Sequence, residues 1–291
     1  RVYILRVLIL GTTFALMWSS AFTSAKIIVS SAPPLSALSL RFLVSGLLAI
    51  GIGWLLGQSL KLTSSQWKAT VIFGICQNSI YLGLNFIAVQ RIEASVAAII
   101  ASTMPLIVAF LGWIIFRDRL KPLAIFGLVL GFIGVLIIMN TRIQNINDLG
   151  AISLCVLGAI SLAIATLSVK NATSGGNLWI IVGYQMIIGS IALLPFALLL
   201  EEINIAWSFK LIIAFFYTTL IPGLLATWVW FVLVSKVGAV KGATYHFLNP
   251  FFGVLIAYII LKESIGLSDY IGVIVVSVGI IIVQISRNVK N

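Results

Sequence analysis

The sequence predicts an all-α integral membrane protein with ten transmembrane helices, arranged as two inverted five-helix repeats with both termini cytoplasmic. Three observations support this fold class. The chain has 291 residues, of which 61% are hydrophobic and only 9% are charged, whereas about a quarter of the residues in a soluble domain are charged. Ten apolar stretches are long enough to cross a bilayer. The sequence also matches itself when it is shifted by 145 residues.

The composition excludes a water-soluble single domain, because 25 charged residues cannot cover the surface of a chain this long. It also excludes a disordered chain, which needs low hydrophobicity. Both cysteines, Cys76 and Cys155, lie in apolar runs, which is not the pattern of a disulfide framework or a metal cluster. With one histidine, the chain cannot form a multi-histidine zinc site. We expect neither a metal nor a cofactor.

A transmembrane helix needs about 20 apolar residues. The stretches that meet this length are 7–28, 34–57, 68–89, 94–116, 122–140, 149–169, 178–200, 210–234, 240–261 and 268–286. The connections between them are short, so neighbouring helices are predicted to pack antiparallel. No cleavage-site pattern follows the first stretch, and we expect it to remain as a helix.

The predicted loops carry unequal charge. With the N-terminus inside, the inner ends and loops hold twelve basic residues and one acid, and the outer ones hold five basic residues and six acids. Lys and Arg collect on the cytoplasmic side of membrane proteins, which predicts cytoplasmic termini in a multi-pass protein of the cell membrane, with the bacterial inner membrane favoured. The net charge of +11 then reflects topology, and we expect no nucleic-acid partner.

The internal match aligns residues 86–138 with 231–283 without a gap. The paired features are Pro105 with Pro250, Arg117-Asp118 with Lys262-Glu263, Gly127 with Gly272, and Gly134 with Gly279. Five helices per half is an odd number, so the second half enters the membrane from the opposite face. The predicted repeats are residues 1–140 and 141–291. Inverted repeats are typical of secondary transporters, whose sites lie near the midplane.

Four motifs follow one another along the chain. They are Trp18-Ser19-Ser20-Ala21-Phe22; Pro33-Pro34 with Leu40-Arg41-Phe42; Ala94 to Asp118 with Ser102-Thr103-Met104-Pro105 at its centre and Arg117-Asp118-Arg119-Leu120 at its end; and Asn249-Pro250 to Lys262-Glu263-Ser264. With these motifs the whole chain resembles the EamA-type family of the drug/metabolite transporter superfamily. The resemblance implies a ten-helix transporter of small metabolites such as amino acids, often exported. It also implies a central cavity between the third, fourth, eighth and ninth helices, with contributions from the first and sixth.

The ninth stretch carries the sole histidine, His246, between Tyr245 and Asn249. His246 is expected to line the cavity; it could also couple protons, since imidazole titrates near neutral pH, or be a neutral group bonded to a neighbouring helix. Pro250, which follows Asn249, is the counterpart of Pro105. Interior prolines free a backbone carbonyl one turn back, so both are expected to line or bend the path, with a purely structural kink as the alternative. Ser102, in the motif of Pro105, is placed in the cavity too.

The third stretch carries Asn78, Tyr81 and Asn85 on one helical face. Polar side chains need partners in an apolar medium, so this face lines a cavity or hydrogen-bonds another helix. Among the aromatic residues, Trp18 and Trp228 are predicted to line the cavity, with core packing as the alternative. Such rings would suit an apolar or aromatic substrate, or a cation.

Arg41 lies about two turns into the second stretch. It could reach the outer surface along its aliphatic stem, bind a carboxylate, or form an internal structural pair. All seven acids fall in loops or at helix ends. Because intramembrane carboxylates commonly drive coupled carriers, their absence favours facilitated diffusion or coupling through another group.

The predicted function is a secondary transporter of small organic metabolites that works by alternating access around a central midplane cavity, with amino-acid export as the leading assignment. The alternatives are a carrier of another small solute (a nucleotide-sugar, an amine or a drug) and a channel or receptor. An enzyme is not expected, since no pair of carboxylates lies in the spans and no HExxH motif occurs. The expected partners are a small molecule and the lipid bilayer, and the chain is expected to be a monomer or a homodimer.

Overall fold

A computed structural model describes residues 2–117, 120–140, 148–172, 175–261 and 266–286, and this part of the chain is all-helical. Ten helical rods follow one another: α1 Val2–Val29, α2 Pro34–Leu55, α3 Ser64–Ala88, α4 94–116, α5 Pro122–Met139, α6 Leu149–Ala172, α7 Leu178–Leu200, α8 Phe209–Val237, α9 239–261 and α10 Leu267–Ile285. Every predicted stretch falls on one of these rods, so the predicted all-α fold is confirmed. The motif residues Asp118, Arg119, Lys262, Glu263 and Ser264 lie outside the described residues.

Eight of the rods, α1 to α4 and α6 to α9, are long and apolar enough to cross a membrane. Pro122–Ile138 in α5 and Tyr270–Ile285 in α10 are shorter apolar helices. Large apolar side chains such as Leu47, Phe126 and Ile191 are exposed on the outside of the bundle. An apolar exterior of this kind belongs against lipid. The protein is therefore a multi-pass membrane protein.

The rods α2 and α7 run antiparallel, and the end of each caps the start of the other. The carboxylate of Glu201, which ends α7, accepts hydrogen bonds from the backbone N–H groups of Leu35 (2.7 Å) and Ser36 (2.8 Å). At the opposite end of the bundle, Oε1 of Gln58 accepts one from the backbone N–H of Trp179 at 2.9 Å. These N–H groups belong to first helical turns, which have no partner within their own helix.

The same two rods touch through reciprocal contacts along their length. The hydroxyls of Ser39 and Ser190 lie 3.1 Å apart, and each donates to the backbone carbonyl of the other residue, at 3.0 and 2.8 Å. Further along, a Cβ placed on Gly46 would meet the carbonyl oxygen of Gly183 at 3.0 Å, and a Cβ on Gly183 would meet that of Gly46 at 2.9 Å. The backbones approach this closely because neither residue has a side chain.

The rods α5 and α10 form a second reciprocal interface. A Cβ on Gly134 would lie 2.8 Å from the carbonyl oxygen of Gly272, and one on Gly272 would lie 2.8 Å from that of Gly134. Gly127 and Gly279 repeat the relation, at 2.9 and 2.7 Å. The glycines paired by the sequence offset therefore serve packing within the chain.

Between these interfaces lie α1 and α6, each of which contacts α3, α4, α8 and α9. The rods around them are irregular in matching places. α3 is π-helical over Gly74–Leu82 and α8 over Thr219–Leu225, and the two segments start 145 residues apart, at the offset of the internal sequence match. A π turn widens a helix locally and is frequent at functional sites.

The rods α4 and α9 are also interrupted, each just before a proline. α4 consists of Ala94–Ala101 and Met104–Phe116, while α9 contains the 3₁₀ segment Thr244–Leu248 ahead of Asn249–Leu261. The sequence predicts one continuous helix in each place. The structure differs because a proline is tolerated in the first turn of a helix, where its missing N–H costs nothing, and so Pro105 and Pro250 each begin a new helical segment.

Candidate substrate site

A small cavity lies between α1, α2, α3 and α8. Its wall is formed by Trp18, Ala21, Phe22, Ala25, Arg41, Phe42, Asn78, Tyr81, Leu82, Asn85, Phe86, Val89, Pro222 and Thr227. About 20 Å³ of open space remains among these side chains, which is room for about one water molecule. Both π-helical segments contribute to the wall, α3 through Tyr81 and α8 through Pro222.

The side chains of Asn78, Tyr81 and Asn85 all reach the cavity wall, and two of them also bond to the protein. The amide of Asn78 donates to the backbone carbonyl of Gln185 on α7 at 3.0 Å and to the side-chain oxygen of the same residue. The Nδ2 atom of Asn85 donates to the carbonyl of Tyr81 at 2.8 Å. The buried Oδ1 atom of Asn85 has no hydrogen-bond partner among the described residues.

Arg41 is only 3% exposed, so its side chain does not reach the outer surface. Its guanidinium carbon lies 4.8 Å from the ring centroid of Phe42 and 5.9 Å from that of Phe86. The Nε and Nη1 atoms are buried without a hydrogen-bond partner in the part of the chain that the structure describes. Of the alternatives open from the sequence, snorkelling is wrong, and no internal ion pair is formed within the described residues.

The imidazole of His246 lies beside the cavity, enclosed by three aromatic rings. Its ring centroid lies 5.3 Å from that of Phe14, 5.7 Å from Trp18 and 5.2 Å from Trp230, each in an edge-to-face arrangement. Trp18 also stacks on Tyr81, with ring centroids 6.2 Å apart and planes within 8° of parallel. Trp18 thus joins the ring cluster around His246 to the cavity.

A short polar chain crosses from α1 to α9 behind these rings. The hydroxyl of Ser19 lies 3.1 Å from Oδ1 of Asn249, and Nδ2 of Asn249 lies 2.9 Å from Nδ1 of His246. The side-chain amide of Asn249 therefore links α1 to the imidazole, and which atom of the second contact donates depends on the His246 tautomer. The sole histidine is a buried hydrogen-bonding group.

The other residues selected from the sequence lie away from the cavity. The hydroxyl of Ser102 donates to the carbonyl of Ile99 in its own helix at 2.5 Å, and Pro105 is buried at the start of the second segment of α4. Trp228 stacks on Trp179, with centroids 5.3 Å apart.

Two selected residues of α9, Tyr245 and Pro250, also lie outside the cavity wall. The hydroxyl of Tyr245 donates to the carbonyl of Val7 at 3.2 Å, and Pro250 is buried directly after Asn249. The structure therefore brings together Trp18, Arg41, Asn78, Tyr81 and Asn85 around one cavity, with His246 and Asn249 next to it. Ser102, Pro105, Trp228, Tyr245 and Pro250 lie outside its wall.

Sequence reasoning selected Trp228 of α8 for the cavity and missed Trp230, which lies in the central ring cluster. Trp230, not Trp228, stacks on Phe14, with centroids 4.8 Å apart, and its Nε1 atom is buried without a partner within the described residues. A π turn adds a residue to a helix and so rotates the faces that follow it. The repeat held a usable signal, since Trp230 lies 145 residues after Asn85.

A larger groove of about 700 Å³ lies between α1, α8 and α9. Its wall is mostly apolar, and several of its residues, such as Ile213 and Ile259, are more than half exposed on the outside of the bundle. The groove therefore opens on the apolar exterior, whereas the small cavity is enclosed by buried side chains. Among the described residues, no group of three or more His, Cys, Asp or Glu side chains could hold a metal ion.

Eight membrane-length helices, four of which form a cavity lined by buried side chains, define the class of the chain as a multi-pass membrane protein. Comparison with known proteins gives the family. The chain belongs to the EamA-like transporter family, whose model matches it twice, over residues 5–140 and 149–285.

Relatives from bacteria and archaea match over nearly their whole length. The uncharacterised transporter YvbV of Bacillus subtilis is 25% identical over 96% of this chain and 92% of its own. An uncharacterised transporter of Archaeoglobus fulgidus is 28% identical, over 97% and 98%, and the inner membrane transporter YedA of Escherichia coli is 24% identical, over 95% and 90%. A protein of known crystal structure superposes with a TM-score of 0.77 over 95% of this chain and 96% of that one, at 16% identity, which supports the fold.

Proposed function

We propose that this chain is a secondary carrier that moves small organic solutes by alternating access, with the export of amino acids as the leading assignment. The observation that carries the proposal is the cavity between α1, α2, α3 and α8, whose wall is formed mostly by buried side chains with polar groups among them. A solute held in such a cavity can leave only if the bundle opens, and a carrier opens to the two sides of the membrane in turn.

The inverted repeat is part of this proposal, with repeats at residues 1–140 and 141–291. The reciprocal contacts between α2 and α7 support it, because a twofold axis that relates antiparallel rods is perpendicular to them. If the rods cross the bilayer, that axis lies in the membrane plane and exchanges the two faces. The matching π-helical segments and the two family matches support it as well.

The proposed topology has ten crossings, with α5 and α10 among them, and both termini in the cytoplasm. The bias of basic residues toward the inner loops supports this orientation. We place the protein in the cell membrane, in a bacterium the inner membrane.

The proposed substrate contacts are Trp18, Arg41, Asn78, Tyr81 and Asn85, which share the cavity wall. His246 and Asn249 fix the position of Trp18 from behind. We propose that the remaining residues selected from the sequence have a structural role, in shaping the helices that move during transport. These residues are Ser102, Pro105, Trp228, Tyr245 and Pro250.

The test uses the purified chain in liposomes preloaded with a mixture of unlabelled amino acids. Uptake of single labelled amino acids is followed by counterflow, with and without a pH gradient. We expect saturable counterflow that Trp18→Ala abolishes and that Trp54→Ala, which alters a tryptophan 67% exposed on the outside of the bundle, leaves unchanged.

Two results would count against the proposal. Flux that does not saturate and shows no counterflow would indicate a channel. Folded protein without counterflow of any amino acid would overturn the amino-acid assignment, and amines, nucleotide-sugars and organic acids would be tested next. A rate that does not depend on the pH gradient would favour facilitated exchange, in keeping with acids placed outside the predicted spans.

A further inference from the structure

The guanidinium of Arg41 is the one charged group in the wall of the closed cavity. An arginine side chain stays protonated in proteins, and a buried cation without a partner is costly. The faces of Phe42 and Phe86 attract the cation but accept no hydrogen bonds. Two of its nitrogens, Nε and Nη1, have no hydrogen-bond acceptor among the described residues.

Asn85, another residue of the cavity wall, has an unpaired atom of the opposite character. Asn85 bonds to the carbonyl of Tyr81, which can only accept, so the bonded atom must be the NH₂ group and the free atom must be the oxygen. The cavity wall thus offers unpaired donors on α2 and an unpaired acceptor on α3. The indole of Trp18, stacked on Tyr81, belongs to the same wall.

We propose that the cavity binds a zwitterionic amino-carboxylate, with the carboxylate on Arg41 and the ammonium group on Oδ1 of Asn85. This inference rests on the proposed function and deepens it by assigning the two charged ends of the substrate to named groups of the cavity wall. A guanidinium presents a planar fork of donors that matches the two oxygens of a carboxylate. An ammonium group carries donors only, so it complements the free amide oxygen and the face of Trp18.

The cavity has an open space of only about 20 Å³, so substrate binding requires the cavity to widen. It admits about one water molecule, so an amino acid enters only if α1 or α8 moves away from α2 and α3. Before a substrate enters, Nε and Nη1 of Arg41 have no partner among the described residues. Removing the charge of Arg41 should therefore stabilise the protein when no substrate is bound.

The test compares three probes that share one side chain: L-phenylalanine, L-phenylalaninamide, which lacks the carboxylate, and 3-phenylpropionate, which lacks the amine. A second series uses leucine, leucinamide and 4-methylpentanoate. Each probe is offered to the full chain in liposomes as a competitor of counterflow of the best labelled amino acid. The same probes are offered to the protein in detergent, where thermal unfolding is followed.

We expect the amino acid to compete at least about tenfold better than either analogue. Arg41→Gln should abolish the preference for the amino acid over its amide, Arg41→Lys should keep part of it, and Asn85→Leu should abolish the preference over the deaminated acid. Arg91→Gln is the matched control, since Arg91 is exposed at a helix end and pairs with Asp148. Arg41→Gln should also raise the unfolding temperature of the ligand-free protein, which a purely structural arginine would lower.

Several outcomes would overturn the inference. If the wild type carries solutes but treats acid and amide alike, or if Arg41→Gln does not change that preference, the carrier proposal stands and this site assignment fails. If chloride alone, exchanged against gluconate, shifts the unfolding temperature of the wild type and not that of Arg41→Gln while no amino acid does, the site binds an inorganic anion. If folded wild-type protein moves no probe at all, both proposals fail together.

Discussion

The two glycine interfaces and the centre of the bundle differ in what the halves of the chain share. At the α2–α7 and α5–α10 interfaces, residues of the same type from the two halves make reciprocal contacts, as Ser39 does with Ser190. At the centre only the backbone repeats. The π-helical segments and proline breaks match, but α9 carries His246 and Asn249 where α4 carries Ala101 and Met104. The repeat therefore builds the frame, while unlike side chains within it form the site.

The strongest test of this division is Gly279→Ala at the α5–α10 interface. The added Cβ would lie 2.6 Å from the backbone nitrogen of Gly131 and 2.7 Å from the carbonyl oxygen of Gly127, neither of which can move without its helix. We expect a loss of about 3 kcal/mol of stability, as overpacking in a tight contact produces, measured by unfolding in detergent. Gly51→Ala, which meets nothing within 4 Å, is the control and should be neutral.

At the centre of the bundle, Asn249→Ala should destabilise the protein less than Gly279→Ala does, but it should abolish transport. It leaves Nδ1 of His246 buried without a partner, a loss of about 2 kcal/mol, and it releases the ring that supports Trp18. Ser102→Ala removes only a bond to the carbonyl of Ile99 in its own helix. Counterflow and unfolding should both stay near wild type in Ser102→Ala, and equal losses in the two variants would show that α4 and α9 contribute equally.

The two tryptophans of α8 separate the frame from the site within a single helix. Trp230→Phe alters the ring packed on Phe14 and His246, and we expect counterflow to fall about tenfold, the equivalent of about 1.4 kcal/mol. Trp228→Phe alters the ring stacked on Trp179, and transport should persist. A larger loss of counterflow in Trp228→Phe than in Trp230→Phe would instead support Trp228, the residue chosen from the sequence.

The smallest effect concerns the caps of the α2–α7 pair. Glu201→Ala removes the acceptor of two backbone N–H groups and of the Ser36 hydroxyl, and should cost about 1 kcal/mol. Gln58→Ala removes one hydrogen bond at the other end, so its cost should be smaller. Thermal unfolding of both variants measures the difference, and a larger loss for Gln58→Ala would contradict it.

Much of the frame could be predicted from the sequence, because bilayer thickness fixes helix length and apolar runs are easy to recognise. The glycines on α5 and α10 were identifiable too, since the sequence offset pairs Gly127 with Gly272 and Gly134 with Gly279. The breaks in α4 and α9 could be located by Pro105 and Pro250 but not described, since a proline can bend a helix or begin a new segment.

The site was predicted less completely, because side-chain direction depends on helix geometry that the sequence does not show. An ideal helical face placed Asn78, Tyr81 and Asn85 together, and all three do reach the cavity. The same reasoning failed for Trp228, which follows the π-helical segment of α8. Arg41 could not be decided from its position, because a long side chain at that depth can reach water or turn inward.

The two reciprocal interfaces also bear on how the protein is made. Each takes one helix from the first half and one from the second, so neither can form until the second half has entered the membrane. During synthesis, the glycine faces of α2 and α5 would therefore remain exposed to lipid until α7 and α10 are inserted. We expect residues 1–140 and 149–291, expressed from separate messages, to be degraded singly and recovered when they are made together. Assembly of the bundle would then be completed only when α10 has entered the membrane.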